Sequence, residues 1–311
     1  DFERCLLPVL DKQSRPASAP GRAATRAFER LLASDPENAG HRWLLNIAYM
    51  LLGEYPEGVP ARWLIEPGTF TSEYEVGRFY NRAADVGLDA VGHAGGAIMD
   101  DFDRDGDRDV IFSGWLMEDQ IQYFENDGRG GFIERTDEAG LRGIVGGLNL
   151  QHADYDNDGF QDVYVTAFGP NVLFRNNGDD TFADVTPTAG VGDAHWGSNC
   201  AFGDYDRDGY VDLYVANYLT FDDEQVPKRG DASGCRYLGI EVACGPVGLP
   251  GEPDTLYRNN GDGTFTDVTE AAGVHGPDYY GFGVVFADLN DDGWPDIYVA
   301  NDSEPNFLFS N

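Results

Sequence analysis

Lysine is almost missing from this sequence. Of 21 basic residues among 311, only Lys12 and Lys228 are lysines, and 55 acidic residues leave a formal net charge of -34. A nucleic-acid partner would need the opposite balance, because phosphate binding rests on clustered basic side chains. No run of about 18 apolar residues occurs, so membrane insertion through a helix has no candidate segment. The five histidines, His41, His93, His152, His195 and His275, are scattered without metal-ligand spacing, and no nucleophile constellation accompanies them. This argues against an enzyme. Cysteine is limited to four residues. Cys235 and Cys244 sit close together in a Gly/Pro-rich segment, where a disulfide would staple a loop of little regular structure. Cys200, in "SNCAFGD", reads as a core thiol of a buried strand.

What the chain has in place of these is glycine and aspartate. The 40 glycines exceed the usual share of about 7% and are spread along the chain, as tight turns between short strands require. The aspartates concentrate in four stretches: "DFDRDGDRD" from Asp101, "DYDNDGFQD" from Asp154, "DYDRDGYVD" from Asp204 and "DLNDDGWPD" from Asp288. In each, oxygen-bearing side chains fall at positions 1, 3, 5 and 9, and glycine falls at position 6, where the chain must turn sharply. Hard oxygen ligands at this spacing suit calcium, one ion per loop and about four in all. The expected ligands are Asp101, Asp103, Asp105, Asp107 and Asp109 in the first loop, and Asp154, Asp156, Asp158 and Asp162 in the second, with the backbone carbonyl of Phe160 at position 7. They are Asp204, Asp206, Asp208, Tyr210 (carbonyl) and Asp212 in the third, and Asp288, Asn290, Asp292, Trp294 (carbonyl) and Asp296 in the fourth. Solvated acidic turns would not repeat one nine-residue pattern four times. Four ions would bring the charge only to -26, counting two positive charges for each, so the surface stays acidic.

The same opening hexamer begins an EF-hand, which needs a bidentate glutamate at position 12. Here position 12 holds Phe112, Val165, Val215 and Val299, and the loops run into "VIF", "VYV", "LYV" and "IYV". Alternating β-branched and aromatic residues after a tight acidic turn predict strands, with the loops between them.

A second element recurs at "GGFIERTDEAGL" from Gly130, "DTFADVTPTAGV" from Asp180 and "GTFTDVTEAAGV" from Gly263. Its phenylalanines, Phe132, Phe182 and Phe265, precede the next acidic loop by 22, 22 and 23 residues. One unit of about 50 residues, built of a few short strands, has the size of a propeller blade. The expected fold is therefore mainly β, a β-propeller of four visible units over residues 61–311, with an insertion at about 217–255. An upstream copy, "GRFYNRAADVGL" from Gly77, supplies a spare strand at 77–88. Three arrangements fit the count: part of a larger ring, closure by the spare strand within one chain, or completion of a neighbour's blade. Residues 1–60 form a helical segment, in which 22–53 keeps helical spacing around a "DPEN" break and is similar to a single tetratricopeptide-type helix pair.

With the acidic loops, the "NNGDGTFTDVTEAAGV" element from Asn259 and the "CGPVGL" from Cys244, residues 77–311 resemble the FG-GAP or VCBS-type β-propellers. The resemblance is closer to the bacterial relatives of cartilage acidic protein that often end in an ASPIC/UnbV domain. It implies a secreted or surface-exposed protein, periplasm included, with a propeller like that of integrin α-chains, usually of seven blades; the four units here depart from that number. The expected function is a non-catalytic, calcium-stabilised adhesion or binding module. Its partner would be an extracellular or surface protein, a glycan, or further copies of itself. The alternatives are a subunit that assembles filaments by strand exchange, and a polysaccharide-acting enzyme.

Overall fold

A computed structural model describes residues 19–70, 79–144, 146–220, 236–237, 240–241, 245–246 and 248–311. Cys5, Cys235 and Cys244, and with them the expected disulfide, lie outside the described residues. The chain divides into two compact units, residues 1–82 and 83–311.

The first unit is built on helices α1 (Ala19–Ser34) and α2 (Ala39–Leu52). Asn38 caps α2 by accepting the His41 N–H at 2.9 Å. Gly53, at φ 71°, ends the helix by donating to the Met50 carbonyl, a left-handed stop that a side chain would resist. Between the helices Leu32, Leu45 and Trp63 form a small closed core.

The second unit is mainly β: four antiparallel sheets in a propeller-like arrangement that is not closed. The first sheet runs β1 (Ala97–Asp100), β2 (Asp109–Phe112), β3 (Gln122–Asn126), β4 (Phe132–Glu134). The second runs β5 (Gly147–Ala153), β6 (Asp162–Ala167), β7 (Gly169–Asn176), β8 (Phe182–Asp184). The third is β9 (Gly197–Gly203), β10 (Asp212–Asn217), β13 (Thr255–Asn259), β14 (Phe265–Asp267), and a hairpin of β11 (Arg236–Tyr237) and β12 (Ile240–Glu241) falls between β10 and β13. The fourth has three strands, β15 (Gly281–Ala287), β16 (Asp296–Asn301) and β17 (Phe307–Phe309). The first strands β1, β5, β9 and β15 lie next to one another in turn.

Each apolar core lies between consecutive sheets. Ile111 and Tyr123 of the first sheet pack with Val163, Val165 and Phe174 of the second; Tyr164 and Leu173 pack with Leu213 and Val215 of the third. This explains why β6 and β10 are buried at every residue. A strand covered on both faces has no solvent side to keep polar, so "VYV" and "LYV" serve neighbours on both faces. Cys200 is fully buried here as a free thiol, and burial pushes its pKa up, which leaves it unreactive.

The upstream copy departs from expectation. Phe79 and Tyr80 are 97% and 73% exposed and belong to no strand, while Ala83–Val86 forms a short helix, α3. What the copy keeps is its turn. Leu88 donates to the Ala83 carbonyl as Leu141 does to Thr136 and Val274 to Thr269. Gly87 abuts the Phe132 carbonyl as Gly140 abuts that of Phe182. The second half of the element, "ADVGL", thus caps the first sheet without its strand.

Candidate metal centres

The four acidic loops occupy one structural position, the turn from first to second strand: β1 to β2, β5 to β6, β9 to β10 and β15 to β16. Their backbones repeat. Position 4 is left-handed each time, at Arg104, Asn157, Arg207 and Asp291, with φ of 59° to 62°. Position 6 has φ of 91° to 100°, which selects glycine.

The internal hydrogen bonds repeat as well. The position 1 carboxylate accepts the glycine N–H, as in Gly159 to Asp154 at 2.9 Å and Gly209 to Asp204 at 3.0 Å. The position 5 carboxylate accepts the N–H of position 7, with 2.9 Å in every loop. Position 9 is the anchor. Asp162 accepts the Tyr155 N–H on one oxygen at 3.1 Å and the Asn176 N–H on the other at 2.8 Å, and Asp109, Asp212 and Asp296 are held in the same way.

These bonds aim carboxylates at common points. One oxygen each from Asp101, Asp103 and Asp109 lies within 4.8 Å of the others, and the same holds for Asp154, Asp156, Asp162 and for Asp204, Asp206, Asp212. Positions 1, 3 and 9 therefore converge in three loops, while position 5 stands outside these groups. The fourth loop, with the amide Asn290 at position 3, forms no such carboxylate group.

The electrostatics follow from the enclosure. Desolvation drives Asp162, which is fully buried, up to about 8 and Asp212 to about 7, against the pull of their backbone donors. Asp103 is pushed to about 6, and Asp109 and Asp156 move in the same direction, all led by burial. Asp296 moves the other way, lowered first by the Asn311 N–H. In each of the three groups at least one carboxylate is thus held above its ordinary range, chiefly by burial.

Sequence reasoning missed one set of functional residues. Asn176, at the end of β7, donates from its side chain to the Phe102 carbonyl of the preceding loop at 2.8 Å. Asn259 reaches Tyr155 at 2.8 Å and Asn311 reaches Tyr205 at 2.7 Å. Each asparagine holds its own loop through its backbone N–H and the previous loop through its amide. The shared final asparagine of "NVLFRN", "DTLYRN" and "NFLFSN" was the available signal. Further contacts link successive loops: Arg104 stacks over Phe160 at 5.0 Å, Asn157 donates to the Gly209 carbonyl, and Arg207 stacks over Trp294 at 5.2 Å.

The FG-GAP-like repeat model matches residues 101–165, 154–215 and 241–299, more than half of the chain, and each match opens on or contains an acidic loop. The chain belongs to the FG-GAP-like repeat family. Human cartilage acidic protein 1 is 46% identical over 57 residues, which is 18% of this FG-GAP chain and 9% of that protein. The mouse protein of the same name is 44% identical over the same shares. The matched stretch thus spans under a tenth of these relatives. Among solved structures, a lectin of Agrocybe aegerita, described as recognising non-reducing terminal N-acetylglucosamine, aligns at 18% identity and a TM-score of 0.35. That alignment covers 65% of this chain and 46% of the lectin. A likeness this weak supports no functional transfer.

Proposed function

We propose that this FG-GAP protein is an extracellular, non-catalytic binding or adhesion module in which calcium acts as a structural ion. One observation carries the reading: Asp101 Oδ1 and Asp154 Oδ1 are buried without any hydrogen-bond partner, each in a group of three converging carboxylates. An orphaned carboxylate oxygen costs free energy that a hard cation would repay. Positions 1, 3 and 9 would supply the first carboxylate oxygens. Position 5 and the position 7 carbonyl, that of Phe160, Tyr210 or Trp294, would complete the shell. The fourth loop would bind more weakly through Asp288, Asp292, Asp296 and the amide oxygen of Asn290. The extracellular setting is supported by the kinship with cartilage acidic protein and by millimolar calcium outside cells, where weak oxygen sites fill. Calcium titration followed by thermal unfolding tests this. A rise in Tm that saturates with calcium supports the reading, and an unchanged Tm up to 10 mM refutes it.

A second reading, assembly of copies by strand addition, draws on the upstream copy of the phenylalanine element, whose Phe79 is 97% exposed. Sedimentation velocity in calcium and after chelation separates the two: large species that dissolve on chelation favour assembly, and a compact monomer rules it out.

A further inference from the structure

The first unit holds a concentration of positive charge that an acidic chain has left uncompensated. Arg26 and Arg30, one turn apart on α1, and Arg62 line a cavity of ≈ 360 Å³ together with Pro60 and Trp63. Among the described residues none of the three guanidinium groups has a hydrogen bond or ion pair. Arg22, Arg135 and Arg142 are paired with Glu54, Glu125 and Asp137, and what sets Arg26, Arg30 and Arg62 apart from other exposed arginines is that all three line one cavity. The carboxylate in the cavity wall, Glu29, is engaged elsewhere, accepting the Tyr49 hydroxyl at 2.7 Å.

The cavity is also braced. The Arg62 guanidinium lies 3.8 Å above the ring of Trp63, which is 4% exposed. The Trp63 carbonyl accepts from Asn46 at 2.8 Å and from Arg42 at 3.3 Å, and Asn46 accepts the Ile65 N–H at 3.0 Å. The stacking platform is thereby fixed before any ligand arrives, which lowers the ordering cost of binding. Arginine forks presented this way match carboxylates two donors at a time.

We propose that this cavity docks an acidic polypeptide segment of a partner, whose carboxylates take the donors of Arg26, Arg30 and Arg62. A long polyanion would meet repulsion from the rest of a chain of net charge -34, whereas a few carboxylates seated in the cavity are screened from it beyond about 8 Å at physiological salt. The site is independent of the calcium reading and involves none of its residues.

The test is fluorescence anisotropy of labelled hexaglutamate with the full chain in 1 mM calcium. Saturable binding is expected, weakened at least tenfold in R26A/R30A and several-fold in R62A, and unchanged in R129A, a surface control. Should R26A/R30A fail to fold, R30E replaces it with the same expected loss. Absence of saturable binding overturns the proposal. Equal binding by R26A/R30A also overturns it, because the peptide would then be bridged by calcium at the acidic loops. Tighter binding of a heparin hexasaccharide, lost in the same variants, overturns the assignment to an acidic polypeptide.

Discussion

The two ends of the same sheets bury carboxylates and treat them in opposite ways. At the loop end, Asp101 and Asp154 keep an oxygen that no donor reaches. At the other end, Asp193 is 5% exposed and accepts from Asn217, Thr255 and His195, while Asp254 accepts the Asn217 N–H at 2.8 Å and the Tyr214 hydroxyl at 3.0 Å. Protein donors satisfy one set, and the other keeps an unsatisfied oxygen at Asp101 and at Asp154. Burial alone therefore does not mark a metal centre. The mark is burial with convergence and an unsatisfied oxygen, which the first two loops meet in full and the third meets in burial and convergence.

The most severe disruption expected is Asp162→Ala. It removes the acceptor of two backbone N–H groups, and with it a proposed metal ligand, from a fully buried position, with a loss of about 3 to 5 kcal/mol. Urea unfolding in calcium checks it. Asp296→Ala, in the more open fourth loop, should cost distinctly less, and equal losses would erase the distinction among loops. Next comes Asn259→Ala, which strands the Tyr155 and Val211 carbonyls and should cost about 2 kcal/mol. The Asn126 amide donates to the exposed Arg108 carbonyl and not to a buried one, so Asn126→Ala should be milder.

Chelation should act on the loop end selectively. With free calcium at ten times a site's dissociation constant, each bound ion adds about 1.4 kcal/mol, so thermal unfolding should fall markedly with chelator. In the double variant Asp101→Asn/Asp154→Asn the response should shrink. In saturating calcium, which would hold the loop carboxylates ionised, the opposite end should add a pH response of its own. Burial lifts Asp254 to about 6, above its unfolded value of about 3.9. The folded state holds that proton more tightly, so its stabilisation is complete below pH 4 and is lost as pH rises through 6. Stability in saturating calcium should show this decline between pH 4 and 7, and Asp254→Asn should flatten it. The smallest effect expected is in the fourth loop, where Asn290→Asp should raise calcium affinity a few-fold by restoring the third carboxylate. Calorimetric titration would detect it.

Much of this was legible in the sequence because the loop pattern dictates its own backbone. Glycine at position 6 and acceptors at 1 and 5 define a turn from local hydrogen bonds alone, and "VYV" after it can only continue as strand. What was not legible depends on contacts between repeats. The asparagine of "NVLFRN" looks like a hairpin residue until the preceding sheet is in place, and only then does its amide meet the Phe102 carbonyl. The strand expected at Phe79 is not formed although the motif is present: residues 79–82 belong to no strand. That only positions 1, 3 and 9 converge is likewise a matter of three dimensions, since spacing treats position 5 as their equal.

Whether the acidic loops hold calcium is measured most directly by the number of ions bound. Native mass spectrometry after equilibration in 1 mM calcium should find at least three ions per chain and a fourth that is lost first on dilution. A chain that retains none, with its fold intact, would contradict the account.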